Sequence, residues 1–487
     1  MDSKACGKTA QNYPAGATLN DKEYHAFRQS GNEGISHSLR DPGIPLLPCL
    51  EMSQTAVNAG VIGLGNVGSG TLDILAKNRE QIERKLGFPI RVTAVCSRSI
   101  ASKTLPEGLG EPFRTANWQE VVNRPDVDVI LELVGGTGVA REIIDAAIAA
   151  GKSVITANKE LMAASGLDLW KKASEKGVAL AMEASVAGGI PIHDVIREGV
   201  AGDRIQTLYG ILNGTSNYIL TEIEKHGTDF DVVLAEAQRL GYAEADPSAD
   251  VDGYDARSKL ALLAALAFGE RVPTDHIYTE GIRRISPVDF DYAHRLDHTI
   301  RLICSARRAP NGLLLSVRPS LIPRSTILAS VQGAYNAVWM RGEFGQDTFY
   351  YGRGAGPHPT GVAVVSDLMR VARDIRGANP CRVSPFSFQD LREHEPTPIT
   401  THKAPYFLRF RVEDQPGIIA RLAAALAEQK ISIEAVFQLP SDNWRNLPFV
   451  ITVEPTTEQS VRQALAAMRS MSFLTEAPLA LPMEKGL

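Results

Sequence analysis

Residues 56–76 read AVNAGVIGLGNVGSGTLDILA. The apolar run from Ala56 to Ile62 reads as a short strand, and Gly63-Leu64-Gly65-Asn66-Val67-Gly68 as a glycine turn. Leu72, Leu75 and Ala76 then recur at helical spacing. Strand, glycine turn and helix in that order make a dinucleotide-binding fingerprint. Gly63 allows the tight turn, Gly65 lets the backbone approach a pyrophosphate, and Gly68 lets helix and strand close together. The helix N-terminus offers free N–H groups and the positive end of its dipole to the phosphates. The expected fold class is therefore α/β, beginning with a Rossmann-type nucleotide-binding domain.

Downstream, Ile90–Cys96 reads as the second strand and ends in Ser97-Arg98-Ser99. A site preferring NAD places an acidic residue there for the ribose 2′-hydroxyl, whereas Arg98 between two hydroxyls suits a 2′-phosphate. NADP is the expected cofactor, with NAD the other option. Val127–Leu133 is a further apolar strand, followed by a helix over Val139–Ala150 and a strand leading to Thr156-Ala157-Asn158-Lys159. Gly151-Lys152-Ser153 is not a phosphate loop, because position 146 is Ala where that motif needs Gly. Lys159 follows a parallel strand at its carboxyl end, where open α/β sheets keep their ligands.

The chain has 487 residues, enough for several domains, with 44% hydrophobic and 22% charged residues. Its net charge of −5 gives no basic patch on which to argue nucleic-acid binding. No run of about 18 apolar residues marks a membrane span. Five scattered cysteines (Cys6, Cys49, Cys96, Cys304, Cys381) lack the spacing of a zinc site or a disulfide framework, which fits a reducing, cytoplasmic setting. Residues 1–53 are polar, without periodicity, and are expected to be disordered, with Met52 an alternative translation start.

The chemistry-bearing stretch is Gly241–Lys259, GYAEADPSADVDGYDARSK. It sets Glu244, Asp246, Asp250, Asp252 and Asp255 before Lys259, and Asp255 and Lys259 share a helix face four residues apart. Leu260, Leu263, Ala264 and Ala267 mark the rest of that helix as buried. Most such pairs are solvated surface ion pairs, so this spacing alone leaves both readings open. Upstream, Glu183–Pro191 (EASVAGGIP) is either a tight connection or a hard-cation site of carbonyls and one carboxylate. In Leu208–Leu220, Asn213, Thr215, Ser216 and Asn217 suit a lined pocket or a capped helix start. The glycine-rich run from Tyr351 enters a helix near Leu368, as a lid or as a return into the nucleotide domain.

At the C-terminus the pattern restarts after Pro396–Pro405. Tyr406–Val412, a helix over Ile418–Gln429, Ile431–Gln438, Phe449–Val453 and a helix over Glu458–Met468 follow in βαββα order. That order resembles an ACT domain, a small ligand-binding module whose turn before the first helix (Asp414–Gly417) binds amino acids.

Taken together, GLGNVG, VITANKEL, EASVAGGIPI, GILNGTSNYIL, GYAEADPSADVDGYDARSKLALLA and GRGAGPHPTGVAVVSDL resemble homoserine dehydrogenase, in family order, from about Asn58 to Arg376. The resemblance, to the monofunctional form with a C-terminal ACT domain, implies NAD(P)-dependent interconversion of L-homoserine and L-aspartate 4-semialdehyde. That reaction leads toward threonine, isoleucine and methionine. The resemblance implies Lys259 as proton donor, Lys159 at the cofactor–substrate junction, and Asp255 orienting the substrate. Glu244, Asp250 and Thr215 become substrate-binding, and Gly63, Leu64, Gly65, Asn66, Val67, Gly68, Arg98, Lys159 and Gly356 cofactor-binding. Glu183, with the main chain at Val186, Gly188 and Ile190, matches a monovalent-cation site (Na or K). A lysine desolvated near its partner can have its pKa lowered toward working pH and serve as acid or base. Threonine feedback at the ACT domain and a homo-oligomer, at least a dimer, are implied too. The expected division is an extension (1–53), a nucleotide domain (54–182, with a return segment at 357–378), an α+β catalytic and dimerisation domain (183–356), a linker (379–404) and a ferredoxin-like ACT domain (405–480). Gly361 stands where the family pattern leads one to expect Ala. The alternative reading is a catalytically inactive amino-acid sensor that keeps the fold. A thiol-dependent aldehyde dehydrogenase is disfavoured, since no cysteine sits in a nucleophile context.

Overall fold

Strand β1, Val57–Ile62, alternates its side chains between two cores, as a strand covered on both faces must. Val57, Ala59 and Val61 join one cluster, and Ile62 joins the other. The computed structural model describes residues 56–310, 312–377, 384–440, 443–484 and 486, all within the compact unit Gln54–Leu487. The expected disordered extension with Met52, Cys6, Cys49, Cys381 and the 379–383 part of the linker lie outside the described residues.

After the glycine turn comes helix α1, Asn66–Lys77. Strands β2 (Ile90–Cys96), β3 (Phe113–Thr115), β4 (Val129–Glu132), β5 (Ser153–Thr156) and β6 (Leu180–Ala181) complete a parallel sheet in the order β3-β2-β1-β4-β5-β6. The order reverses between β1 and β4, which opens a crevice at their carboxyl ends. Helices α2 (Gly138–Ala149) and α3 (Lys159–Lys176) cover the Ile62 face through Ile143, Ile144, Leu161 and Leu169.

The glycines of the turn act as their positions require. Gly63 has φ +104°, and a Cβ there would come 2.5 Å from the Leu133 carbonyl. A Cβ on Gly68 would lie 2.0 Å from Gly63 O, whereas Gly65 has open space around it. Gly68→Ala is therefore expected to wedge α1 off β1, at a cost of about 1–3 kcal/mol, and to abolish dinucleotide binding. Thermal melting and a nicotinamide fluorescence titration test this; unaltered binding refutes it.

The second sheet contains β7 (Ile205–Ile211), β8 (Tyr278–Thr279), β9 (His298–Ala309), β10 (Gly312–Pro323), β11 (Tyr335–Gly342) and β12 (Asp347–Arg353), in the order β12-β11-β7-β9-β10-β8. Helices α4 (Gly214–His226) and α5 (Tyr254–Phe268) belong to this domain. Every residue of α5 from Leu260 to Phe268 is buried, so it is a core helix, as its apolar downstream half predicts. The other face of the sheet carries a smaller cluster around Tyr209, Ile303, Ile322 and Trp339.

Helix α6, Pro357–Arg376, packs along α1. A Cβ on Gly70 would lie 2.2 Å from Pro357 O, and one on Gly361 would lie 3.0 Å from Thr71 N. The departure at Gly361 thus serves close helix packing.

The C-terminal module runs β13 (Lys403–Val412), α7 (Ile418–Glu428), β14 (Ile433–Gln438), β15 (Leu447–Thr457), α8 (Glu458–Met468) and β16 (Leu479–Pro482), with sheet order β14-β15-β13-β16. The sequence reading lacks β16. Only four residues long and ending in proline, it becomes a strand by pairing with β13. Tyr406, Leu408 and Phe410 face the module's own helices, while Phe407, Val450, Leu479 and Leu481 enter the large core of the rest of the chain.

Two buried ionic centres reinforce that docking. Arg409 pairs with Asp289 at 2.5 Å and with Glu476 at 2.9 Å. Arg318 reaches Glu458 at 2.6 Å and His402 at 2.7 Å, while Arg307 contacts the other His402 nitrogen at 2.7 Å. Burial and the two guanidiniums push the His402 pKa down to about 3.

Candidate active site

Asp255 and Lys259 come from the first turns of α5, which starts at Gly253 in a left-handed conformation, φ +87°. Helical spacing brings the Asp255 carboxylate to 2.7 Å from Lys259 Nζ. Its other oxygen lies 3.0 Å from the ammonium of Lys159, which belongs to the nucleotide domain. One carboxylate thus clamps two lysines from different domains, and it sits at the edge of the nucleotide crevice. The Lys259 side chain is 12% exposed and that of Lys159 32%, so Lys259 is the deeper of the two.

Asn213 holds this clamp in place. Its Oδ1 caps α4 by accepting from Ser216 N, and its Nδ2 donates to Asp250 at 2.7 Å and to Asp255 at 2.9 Å. The sequence reading offers this polar cluster as a lined pocket or a helix cap, and Asn213 caps the helix. Lys259 Nζ also donates to Leu212 O at 2.8 Å. Ser216 Oγ donates to Asp250 O, and Thr215 Oγ1 to Tyr242 O, which ties α4 to the acidic loop. Glu244 lies exposed on that loop, and among the described residues its carboxylate takes no part in the clamp.

On the nucleotide side, Glu132 ends β4 with no exposure. It accepts from Val134 N and from Thr156 Oγ1, and Thr156 Oγ1 accepts in turn from Asn158 N. Asn158 caps α3 through Leu161 N and donates to Gly136 O. These bonds fix the ends of two strands and so aim Lys159, the first residue of α3. Neither Glu132 nor Asn158 was singled out from sequence; the signal was a pair of polar residues closing apolar strands.

Charge follows the geometry. Burial alone would raise the Asp255 pKa, but Lys259, Lys159 and the hydrogen bonds hold it well below the usual carboxylate range. Burial works to lower the Lys159 pKa, yet the facing Asp255 outweighs it and leaves it raised. For Lys159 this reverses the sequence expectation of a lysine lowered by desolvation. Asp250 is raised by burial against its bond from Asn213. Cys304 lies buried behind Lys259 with its thiol pushed up to about 12, chiefly by burial, and Cys96 is also buried and raised. Neither described cysteine has the electropositive, accessible setting of a nucleophile.

Of the residues expected to hold the cofactor, those of the Gly63–Gly68 turn, Arg98 and Lys159 follow strands of the parallel sheet at their carboxyl ends. Helix α1 has no side-chain cap and no acidic residue in its first turn, so its N–H groups stay free for an anion. Leu64 is buried, Gly65 and Asn66 are exposed, and Val67 packs against the core. Arg98 is exposed just beyond β2, between serines whose hydroxyls lie 3.3 Å apart. Gly356, at φ +125°, begins α6.

Glu183 is buried, and its carboxylate accepts from His193 N at 3.0 Å and Asp194 N at 2.8 Å. Burial, with Asp194 and Asp367 nearby, pushes its pKa up to about 8. Val186 and Ile190 are buried, and Gly188 lies in the left-handed region at φ +35°. Both carboxylate oxygens of Glu183 thus accept backbone N–H groups, and a carboxylate is a hard oxygen donor.

With this geometry in hand, known proteins resemble the chain along nearly its whole described length. Residues 63–183 match the NAD-binding domain model of homoserine dehydrogenase, 191–369 the homoserine dehydrogenase model, and 406–470 the ACT domain model. The chain is 42% identical to the homoserine dehydrogenase of Pseudomonas aeruginosa over 418 residues, covering 85% of this chain and 96% of that one. It is 41% identical to that of Neisseria gonorrhoeae over 429 residues, covering 87% and 97%. A crystal structure of a homoserine dehydrogenase from Thiobacillus denitrificans superposes with a TM-score of 0.80 at 41% identity, covering 88% of this chain and 98% of that one.

Proposed function

Since the chain belongs to the homoserine dehydrogenase family, NAD(P)-dependent oxidoreductases that interconvert L-homoserine and L-aspartate 4-semialdehyde, we propose that Lys259 moves the proton of that reaction. The observation that carries this is the clamp of Asp255 between Lys259 and Lys159. The nicotinamide, when bound, supplies or accepts the hydride. The chain's own residues then handle the proton and the charge. Lys259 spends two N–H groups on Asp255 and Leu212 O, leaving one for the substrate oxygen. In aldehyde reduction it gives that oxygen a proton; in homoserine oxidation it takes one. Lys159, at the crevice edge, neutralises charge where cofactor and substrate meet. Asp255 orients both lysines.

Glu244 is exposed on the loop that Thr215 anchors, so its carboxylate is accessible to the substrate ammonium as a charge-assisted bond. Asp250 and Thr215 complete the polar wall. Gly63–Gly68 and the α1 N-terminus hold the pyrophosphate, and Gly356 closes the cofactor side. Arg98 with Ser97 and Ser99 favours the 2′-phosphate of NADP over NAD. Glu183 and the main chain of Val186, Gly188 and Ile190 would hold a monovalent cation. The Asp414–Gly417 turn, exposed before α7, suits an amino-acid effector, threonine in this reading. Edge strand β14 with exposed Val436, and Ile419 on α7, suit contact with a second copy. Free buried Cys96 and Cys304 agree with a cytoplasmic setting, and among the described residues no helix is long and apolar enough to cross a membrane. The catalytic division at 183–356 and the linker to about 404 belong to the same proposal. An inactive sensor gains nothing from a carboxylate clamping two lysines.

The test is nicotinamide absorbance with aspartate semialdehyde and NADPH or NADH, with and without threonine. Faster oxidation of NADPH and suppression by threonine are expected. Arg98→Ala should raise KM for NADPH by roughly ten- to a hundredfold, the worth of a hydrogen bond to a charged group, and leave NADH unaffected. An unchanged NADPH KM removes Arg98 from the cofactor site, and no turnover with either cofactor revives the sensor.

A further inference from the structure

Asn336 lies in β11 with no exposure, among the apolar residues Ala337, Val338 and Met340. Strand register pairs Ala337 with Ile211, which sets Asn336 beside Leu212. Its Nδ2 donates to Leu212 O at 3.0 Å, the carbonyl that receives Lys259 Nζ at 2.8 Å. The Asn336 Oδ1 is buried and has no hydrogen-bond partner among the described residues. A buried orphan acceptor is costly, and an apolar side chain of similar size would avoid that cost. The amide is therefore retained for what its donor does.

The surroundings are shaped to admit it. A Cβ on Gly354, in the GRGAG run, would lie 2.1 Å from the Asn336 amide, so only glycine there leaves room. The Leu212 carbonyl thus accepts from two donors, the Asn336 amide and the Lys259 ammonium. A carbonyl bearing only the lysine could tilt with it; one shared with a rigid amide cannot.

We infer that Asn336 is a positioning residue that fixes Lys259 through the Leu212 carbonyl. This rests on the reading of Lys259 as the proton-transfer group. Asn336 touches neither substrate nor cofactor in this role; it sets where the ammonium sits.

Asn336→Leu, Asn336→Asp and Lys259→Ala are compared with wild type for homoserine oxidation across pH, NADP KM and Tm. Asn336→Leu should keep its Tm and NADP KM while kcat falls on the order of tenfold to a hundredfold, the scale of a displaced catalytic group. Asn336→Asp keeps the shape of the side chain. Protonated, its carboxyl can donate to Leu212 O; ionised, it cannot, so its activity relative to wild type should climb as pH falls. A folded Asn336→Leu with wild-type kcat and pH profile overturns the inference. Should Asn336→Leu fail to fold, an Asn336→Asp activity ratio constant across pH overturns it as well. Full turnover by Lys259→Ala would instead defeat the reading of Lys259 itself.

Discussion

Lys259→Ala is expected to lower kcat by about a thousandfold, within the range that a positioned acid or base supplies, with nicotinamide-cofactor affinity and Tm close to wild type. The fold should survive because Asp255 keeps Lys159 at 3.0 Å and Asn213 at 2.9 Å, so no buried carboxylate is stranded. Cofactor binding should survive because Lys259 belongs to α5, away from the Gly63–Gly68 turn. Lys259→Arg should be equally slow, since a guanidinium keeps the charge but does not give up its proton. Steady-state rates in both directions with parallel melting curves decide the matter. Turnover near wild type in either variant would move the proton transfer to another group.

The second large effect is on stability. Glu458→Ala removes the carboxylate that faces Arg318 at 2.6 Å, Arg462 at 2.8 Å and the Tyr406 hydroxyl at 2.7 Å. Arg318 is 2% exposed and would lose its direct ion-pair partner, beside a histidine that already sees a second arginine. Breaking one partner of a buried pair costs about 3–5 kcal/mol, and here it also undoes the seat of the C-terminal module.

The pH dependence of that pair has a definite sign. Burial alone would raise the Glu458 pKa, but Arg318 and the hydrogen bonds bring it below its ordinary value. A depressed folded-state pKa stabilises above the unfolded value of about 4.3 and is lost as pH falls through the folded value. Denaturant midpoints of wild type and variant should therefore stand apart at neutral pH and converge on acidification. A gap that does not narrow would show that the carboxylate acts by packing rather than charge.

How far the sequence carries can be judged residue by residue. The turn at Gly63–Gly68 was legible because Gly63 and Gly68 answer local steric demands that no other residue meets. Asp255 and Lys259 were legible as a pair because four residues on one helix place them together whatever the rest of the chain does. Burial of α5 was legible because its apolar residues run around the whole helix. Nothing in the sequence marks Arg409 and Arg318 as buried, since the carboxylates that meet them come from distant segments. Strand β16 was illegible for the same reason.

Local order, then, was written in the chain: the parallel-sheet domain, the buried helix, the βαββα pattern near the end and the lysines of interest. Those features depend on short-range sterics and on periodicity, which a linear string carries in full. Folding alone decided that Asp255 would meet Lys159 as well as Lys259, that its charge would raise the Lys159 pKa where burial by itself would lower it, and that Asn336 would share a carbonyl with the deeper lysine. Each of those depends on distances between segments far apart in sequence, and electrostatic energy is set by such distances and by burial, neither of which residue order states.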